Sequence, residues 1–180
     1  MKWNQKTIHQ WGIDTFGAPA LNTLGLAIRM VKEAVELSTA LHLDVENEVL
    51  NESADVAIVV LQVANCLDFE VDQVLGIHPD GTAVLPKFKE YLELFQKTDD
   101  ELLNGEQCAV ASSTFAVDLI SSLFHGSTDN AKKEIIKIMA MLSAIEEIYE
   151  FDLNVRIQEK MDINEARKWE KSQDGSFQHV

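Results

Sequence analysis

Two pairs of acidic residues at helical spacing are the first feature of this chain that could do chemistry. Glu33 and Glu36 lie three apart, as do Glu52 and Asp55, so on helices each pair projects from one face. Two such helices joined as an antiparallel hairpin can aim all four carboxylates at one point. With 30 acidic residues in 180, a lone Glu-x-x-Glu carries little weight. The neighbours single these pairs out: Val31, Ala34, Val35 and Leu37 surround the first, and Ala54 with the run from Val56 to Leu61 surrounds Asp55. A solvated acidic stripe would suit Glu33 but fits Asp55 badly. Like charges about 4 Å apart repel by about 4 kcal/mol at an effective dielectric of about 20, so such a cluster calls for a cation. Carboxylates and water suit Mg2+ or Mn2+, hard ions that commonly bring a phosphate with them. A di-iron bundle would need two Glu-x-x-His motifs, and none of the five histidines has Glu three residues before it.

The second feature is cationic. Arg156, Lys160, Arg167, Lys168 and Lys171 put five of the chain's 15 basic residues into 16 positions. On a continuous helix Lys160, Asn164, Arg167 or Lys168, and Lys171 share a face suited to phosphate oxygens. Charge balance near a helix C-terminus is the simpler alternative. Taken together, an acid cluster and a basic stripe match what a metal-bound polyphosphate requires.

The elements that must position these residues read as helices throughout, with no run of period-two alternation, which predicts an all-α fold with a four-helix-bundle-type core. A first helix is expected around Trp3 to Trp11, followed by a turn at TFGAP. Pro19 is then expected to open a long helix whose apolar face runs through Leu21, Leu24, Ile28, Val31, Val35 and Leu41 and which ends near His42. A polar connection, 44–48, leads to a helix whose stretch ADVAIVVLQVANCL is apolar almost all round and therefore central, with Asp55 and Gln62 buried in it. Breakers gather at 76–84, a charged helix is predicted over 85–103, and further helices over 108–125, 131–150 and 152–171. The tail carries no helical pattern. Nothing resembles a linker, so residues 1–180 read as one domain.

Sliding the chain on itself by 82 residues pairs 26–73 with 108–155 without a gap, with seven identities in 48 positions: Ala27, Ala34, Val35, Leu37, Leu41, Glu52 and Phe69 meet Ala109, Ala116, Val117, Leu119, Leu123, Glu134 and Phe151. This admits a degenerate internal duplication of a helical hairpin. The second copy lacks the acid set, having Phe115 for Glu33, Asp118 for Glu36 and Lys137 for Asp55, with only Glu134 kept. It could then serve as scaffold, with Lys137 facing Asp118 or Glu134 in place of a metal.

A net charge of -15 argues against polymeric nucleic acid and anionic membranes as partners, because counterion release needs an excess of Lys and Arg. A single nucleotide carried by a divalent ion is not excluded, since the metal reverses the local field. Cys66 and Cys108 sit in apolar stretches outside any zinc spacing and read as buried, reduced thiols. The longest unbroken apolar run, Val56 to Leu61, falls short of the roughly 18 to 20 residues of a membrane span. A soluble, cytoplasmic protein is the expectation.

The ordered series KEAVE (Glu33, Glu36), ESAD (Glu52, Asp55) and KMDINEARKW (Lys160, Asn164, Arg167, Lys168) resembles the MazG-like, all-α nucleoside triphosphate pyrophosphohydrolases. WGIDTFG and the closing RKW resemble the branch associated with dATP and dGTP hydrolysis, often found in phages. The likeness spans about residues 8 to 75 and 152 to 170, while 76–151 departs from the short family members. It implies Mg2+-dependent (or Mn2+-dependent) hydrolysis of a nucleoside triphosphate, a purine deoxynucleotide above all, to the monophosphate and pyrophosphate. Glu33, Glu36, Glu52 and Asp55 would hold two or three ions, one of the glutamates serving as general base. Lys160, Asn164, Arg167 and Lys168 would grip the outer phosphates, and Ile8, Trp11 and Asn22 could contact the base, although Trp11 suits a core role equally well. The family also leads one to expect a homo-oligomer. Two other readings stay open: phosphoribosyl-ATP pyrophosphohydrolase-like activity, and a non-enzymatic helical module that docks a partner on its acidic face.

Overall fold

The computed structural model describes residues 2–71, 104–171 and 177–179. The breaker cluster at 76–84 and the charged helix expected over 85–103 lie outside the described residues. Six α-helices account for nearly all the rest: α1 (Gln5–Phe16), α2 (Thr23–Leu43), α3 (Glu46–Cys66), α4 (Gly105–Phe124), α5 (Thr128–Ile148) and α6 (Leu153–Ala166). The all-α expectation holds, and the boundaries shift for local reasons. Asn4 caps α1 through a reciprocal pair with Thr7, so the helix starts at Gln5 rather than Trp3 and runs on to Gly17, whose φ of 82° ends it. Pro19 sits in a 3-10 turn, Ala18–Leu21, and does not open α2. That role falls to Asn22, whose side chain accepts the Gly25 N–H at 2.8 Å.

α2 and α3 form one antiparallel hairpin, α4 and α5 the other, and their boundaries recur at the offset of 82. Asn104 caps α4 by accepting the Gln107 N–H, as Asn22 caps α2. The left-handed residues ending the helices are Asp44 and Gly126 (φ 52° and 70°), then Asp68 and Glu150 (φ 48° and 51°). The closing bonds match as well: Val45 N–H to Ala40 O at 3.1 Å with Ser127 N–H to Ser122 O at 2.9 Å, and Phe69 N–H to Ala64 O at 3.0 Å with Phe151 N–H to Glu146 O at 3.2 Å. Each is the six-to-one closure of a helix C-terminus. The polar connection expected over 44–48 is therefore only two residues long, and the two hairpins are built alike down to their turns.

The hairpins meet through α2 and α4. Ser38 donates to Ala109 O at 2.7 Å and Ser112 donates to Ala34 O at 3.1 Å, so the residue number falls on one helix as it rises on the other and the helices run antiparallel. Small residues allow this approach. α3 is central, as its pattern requires: every residue from Val56 to Ala64 is buried, Gln62 included. By length and composition α3 and α4 could each cross a membrane, but 72% of the apolar window of α3 is enclosed within the bundle, against 33% for α4. Asp55 is mostly rather than fully enclosed, its side chain 16% exposed where α6 comes alongside α3. α1 and α6 pack against α3, and Gly12 permits the close approach of α1, since a Cβ there would lie 2.8 Å from Gln62 Nε2.

The C-terminal helix stops at Ala166, short of the expected Lys171. Arg167 is extended (φ -73°, ψ 149°), and Trp169–Lys171 pairs antiparallel with Phe177–His179, a short ladder that period-two patterning did not reveal. Aromatic packing explains the stop. Trp169 lies edge-on to Trp11 and Phe16, with centroids 6.3 and 5.2 Å away, and its indole donates to Asn164 O at 3.0 Å. Burying that ring against α1 outweighs one more helical turn.

Candidate metal centre

The two acid pairs converge because α2 and α3 are adjacent and antiparallel. Glu33, Glu36 and Glu52 each offer a carboxylate oxygen, and the three oxygens lie within 4.8 Å of one another. Asp55, one turn beyond Glu52, bonds instead through Oδ2 to Lys160 Nζ of α6 at 2.6 Å. Glu33 is 5% exposed.

Local cations offset part of the negative charge. Arg29 Nε lies 3.3 Å from Glu33 and Lys32 Nζ 3.0 Å from Glu36, both one turn earlier on α2. The electrostatics still favour protonation. Burial pushes the Glu33 carboxyl above the ordinary range, against the pull of Arg29 and with the help of the Asp55 charge. Burial likewise pushes Glu52 up to about 7, reinforced by Asp55 and Glu36 and opposed by Lys160. The donor set is thus all carboxylate oxygen, crowded and partly desolvated, which fits a hard divalent ion.

The candidate phosphate groups are divided. Lys160 is at the acid cluster, and Asn164, 4% exposed, follows one turn later with its Oδ1 accepting from Arg167 Nη1 at 3.2 Å. Lys168 is exposed past the end of the helix, so Arg167, Lys168 and Lys171 do not continue the helical face on which Lys160 and Asn164 lie. Arg156 pairs with Glu159 at 3.1 Å.

Of the candidate base contacts, Ile8 is fully buried in the core and Asn22 uses its amide on Gly25 N–H and Pro19 O. Trp11 is half buried in the aromatic trio with Phe16 and Trp169. Sequence reasoning missed Phe16 and Trp169 as its companions, although WGIDTFG and RKW contain both. Arg29 and Lys32 were missed too, and their signal was legible as basic residues four before Glu33 and Glu36.

In the second hairpin the equivalent positions hold an internal ion pair. Lys137 Nζ lies 2.9 Å from Glu134 and 5.6 Å from the centroid of the Phe115 ring. Asp118 is exposed, and among the described residues the only three-acid group within metal-binding reach is that of the first hairpin. Both thiols stay apart from this chemistry: burial pushes Cys108 up to about 12, and half-buried Cys66 donates to Leu21 O at 3.2 Å.

No family model, curated protein or solved structure matches this chain.

Proposed function

We propose that this chain hydrolyses a nucleoside triphosphate, a purine deoxynucleotide above all, to the monophosphate and pyrophosphate with Mg2+ or Mn2+. The observation that carries the reading is the meeting of two charge types at one place: Glu33, Glu36 and Glu52 gathered within 4.8 Å, with Lys160 bonded at 2.6 Å to their neighbour Asp55. An acid cluster alone would suit a bare cation. The lysine, with Asn164 and Arg167 just beyond it, supplies the donors that a phosphate chain needs. Preference for a purine deoxynucleotide rests on the resemblance of WGIDTFG and RKW, and the aromatic trio of Trp11, Phe16 and Trp169 offers surface on which a base could stack.

In this reading Glu33, Glu36, Glu52 and Asp55 hold the metal, which when bound would neutralise phosphate charge and acidify a water. Glu33 and Glu36 are fixed by Arg29 and Lys32, so their oxygens are preorganised. Lys160 and Arg167 take up the charge of the departing pyrophosphate, and Asn164 orients Arg167. The test is pyrophosphate release from the eight common ribo- and deoxyribonucleoside triphosphates with Mg2+, Mn2+ or EDTA. Release from dATP or dGTP that EDTA abolishes is the expected result. Orthophosphate release, or no turnover of any of the eight, would overturn the proposal.

A further inference from the structure

Asp55 differs from the other acids of the cluster in where its cation comes from. Arg29 and Lys32 reach Glu33 and Glu36 from one turn away on the same helix, whereas Lys160 reaches Asp55 from α6, across a helix interface. The contact is short at 2.6 Å, and its side chains are only 18% and 16% exposed. The backbone carrying Lys160 is held firmly. Gln158 exchanges hydrogen bonds with the Trp3 main chain, accepting at 3.0 Å and donating at 2.8 Å, Trp3 Nε1 donates to Asp162 at 2.8 Å, and Ile157 and Met161 are fully buried. Movement at this point belongs to the lysine side chain, a four-carbon stem with a compact charge. The ammonium sits on Oδ2, so a divalent ion that takes Asp55 through that oxygen, or through both, must displace it.

We infer that Lys160 is a built-in counter-ion that occupies Asp55 until a divalent ion displaces it, and that this displacement frees its ammonium for the triphosphate. The inference rests on the metal site proposed above. It makes metal and lysine competitors for one carboxylate, and it makes metal and nucleotide each strengthen the binding of the other, because metal releases the lysine that the nucleotide uses.

The experiment is Mn2+ binding to the full chain, followed by the EPR signal of free ion, with and without a non-hydrolysable deoxynucleoside triphosphate. Lys160→Met should bind Mn2+ about tenfold more tightly than wild type without nucleotide, the effect of losing one partly buried pair. The gain in Mn2+ affinity on adding nucleotide should shrink in the variant by a similar factor. Lys160→Gln is the second variant should the methionine fail to fold, and Lys160→Arg, which keeps the cation, should stay near wild type. Unchanged or weaker Mn2+ binding in folded Lys160→Met or Lys160→Gln would overturn the inference while leaving the metal site standing, provided that Asp55→Asn loses the ion. Absence of Mn2+ binding in the wild type would overturn the metal site itself, and the inference with it.

Discussion

Glu52 carries the clearest electrostatic signature, a carboxyl pushed from an ordinary 4.5 up to about 7 by burial and by the charges of Asp55 and Glu36. A carboxyl whose folded-state pKa is raised binds more protons in the native than in the unfolded chain, so its contribution to stability is present in full below about 4.5 and is lost as pH rises through about 7. Glu33, raised by burial, acts with the same sign. In EDTA, the melting temperature of wild type relative to Glu52→Gln should therefore fall between pH 4.5 and 7. A difference that rises across this window, measured by thermal scans at fixed ionic strength, would contradict the crowding of the four acids. Asp55→Asn should abolish pyrophosphate release while keeping the helical circular dichroism at a lower melting temperature, because it removes a ligand and leaves Lys160 without its carboxylate. Wild-type turnover in that variant would remove Asp55 from the site.

The recurrence of caps and turns makes the hairpins comparable as elements. Asn22 and Asn104 occupy equivalent positions and accept at 2.8 and 2.9 Å, so Asn22→Ala and Asn104→Ala should each cost about 1 kcal/mol in urea denaturation. A cost at one site alone would show that the equivalence is not energetic. In the second hairpin, Lys137 is 40% exposed although Glu134 is only 11% exposed. That difference decides the magnitude. A lysine able to turn to water does not leave a buried charge unpaired, so Glu134→Gln should cost about 1 kcal/mol rather than the roughly 3 to 5 of a fully buried pair. Activity should follow the folded fraction, unlike Glu52→Gln, which is expected to be folded and inactive.

At the scale of the whole molecule, two hairpins of one design meet along α2 and α4, and among the described residues only the first gathers three acids within metal reach. Metal should then stabilise the chain through one cluster. With Mg2+ at about a hundred times its dissociation constant, the linkage amounts to about 2.7 kcal/mol. Thermal scans should show the upward shift in wild type and in Glu134→Gln, and none in Glu52→Gln. A metal shift that survives Glu52→Gln would place the ion elsewhere.

Helical periodicity was enough to determine the all-α class and the central place of α3, because an all-round apolar run of that length can only be satisfied by enclosure. The acid spacings put Glu33, Glu36, Glu52 and Asp55 forward as one set, of which α2 and α3 bring the three glutamates within 4.8 Å while Asp55 pairs with Lys160. The offset of 82 matches the equal hairpins and left Lys137 facing Asp118 or Glu134, of which it meets Glu134. The ends of elements were less legible, since Asn4 and Asn22 compete with their neighbours as caps and only the formed hydrogen bond settles which residue wins. The short ladder at Trp169–Lys171 and the end of α6 were beyond local reading: they depend on Trp169 meeting Trp11 and Phe16, more than 150 residues away. The bond from Lys160 to Asp55 is of the same kind. Spacing along one helix tells which side chains share a face, but which amine lies over which carboxylate is decided when α6 packs across α3.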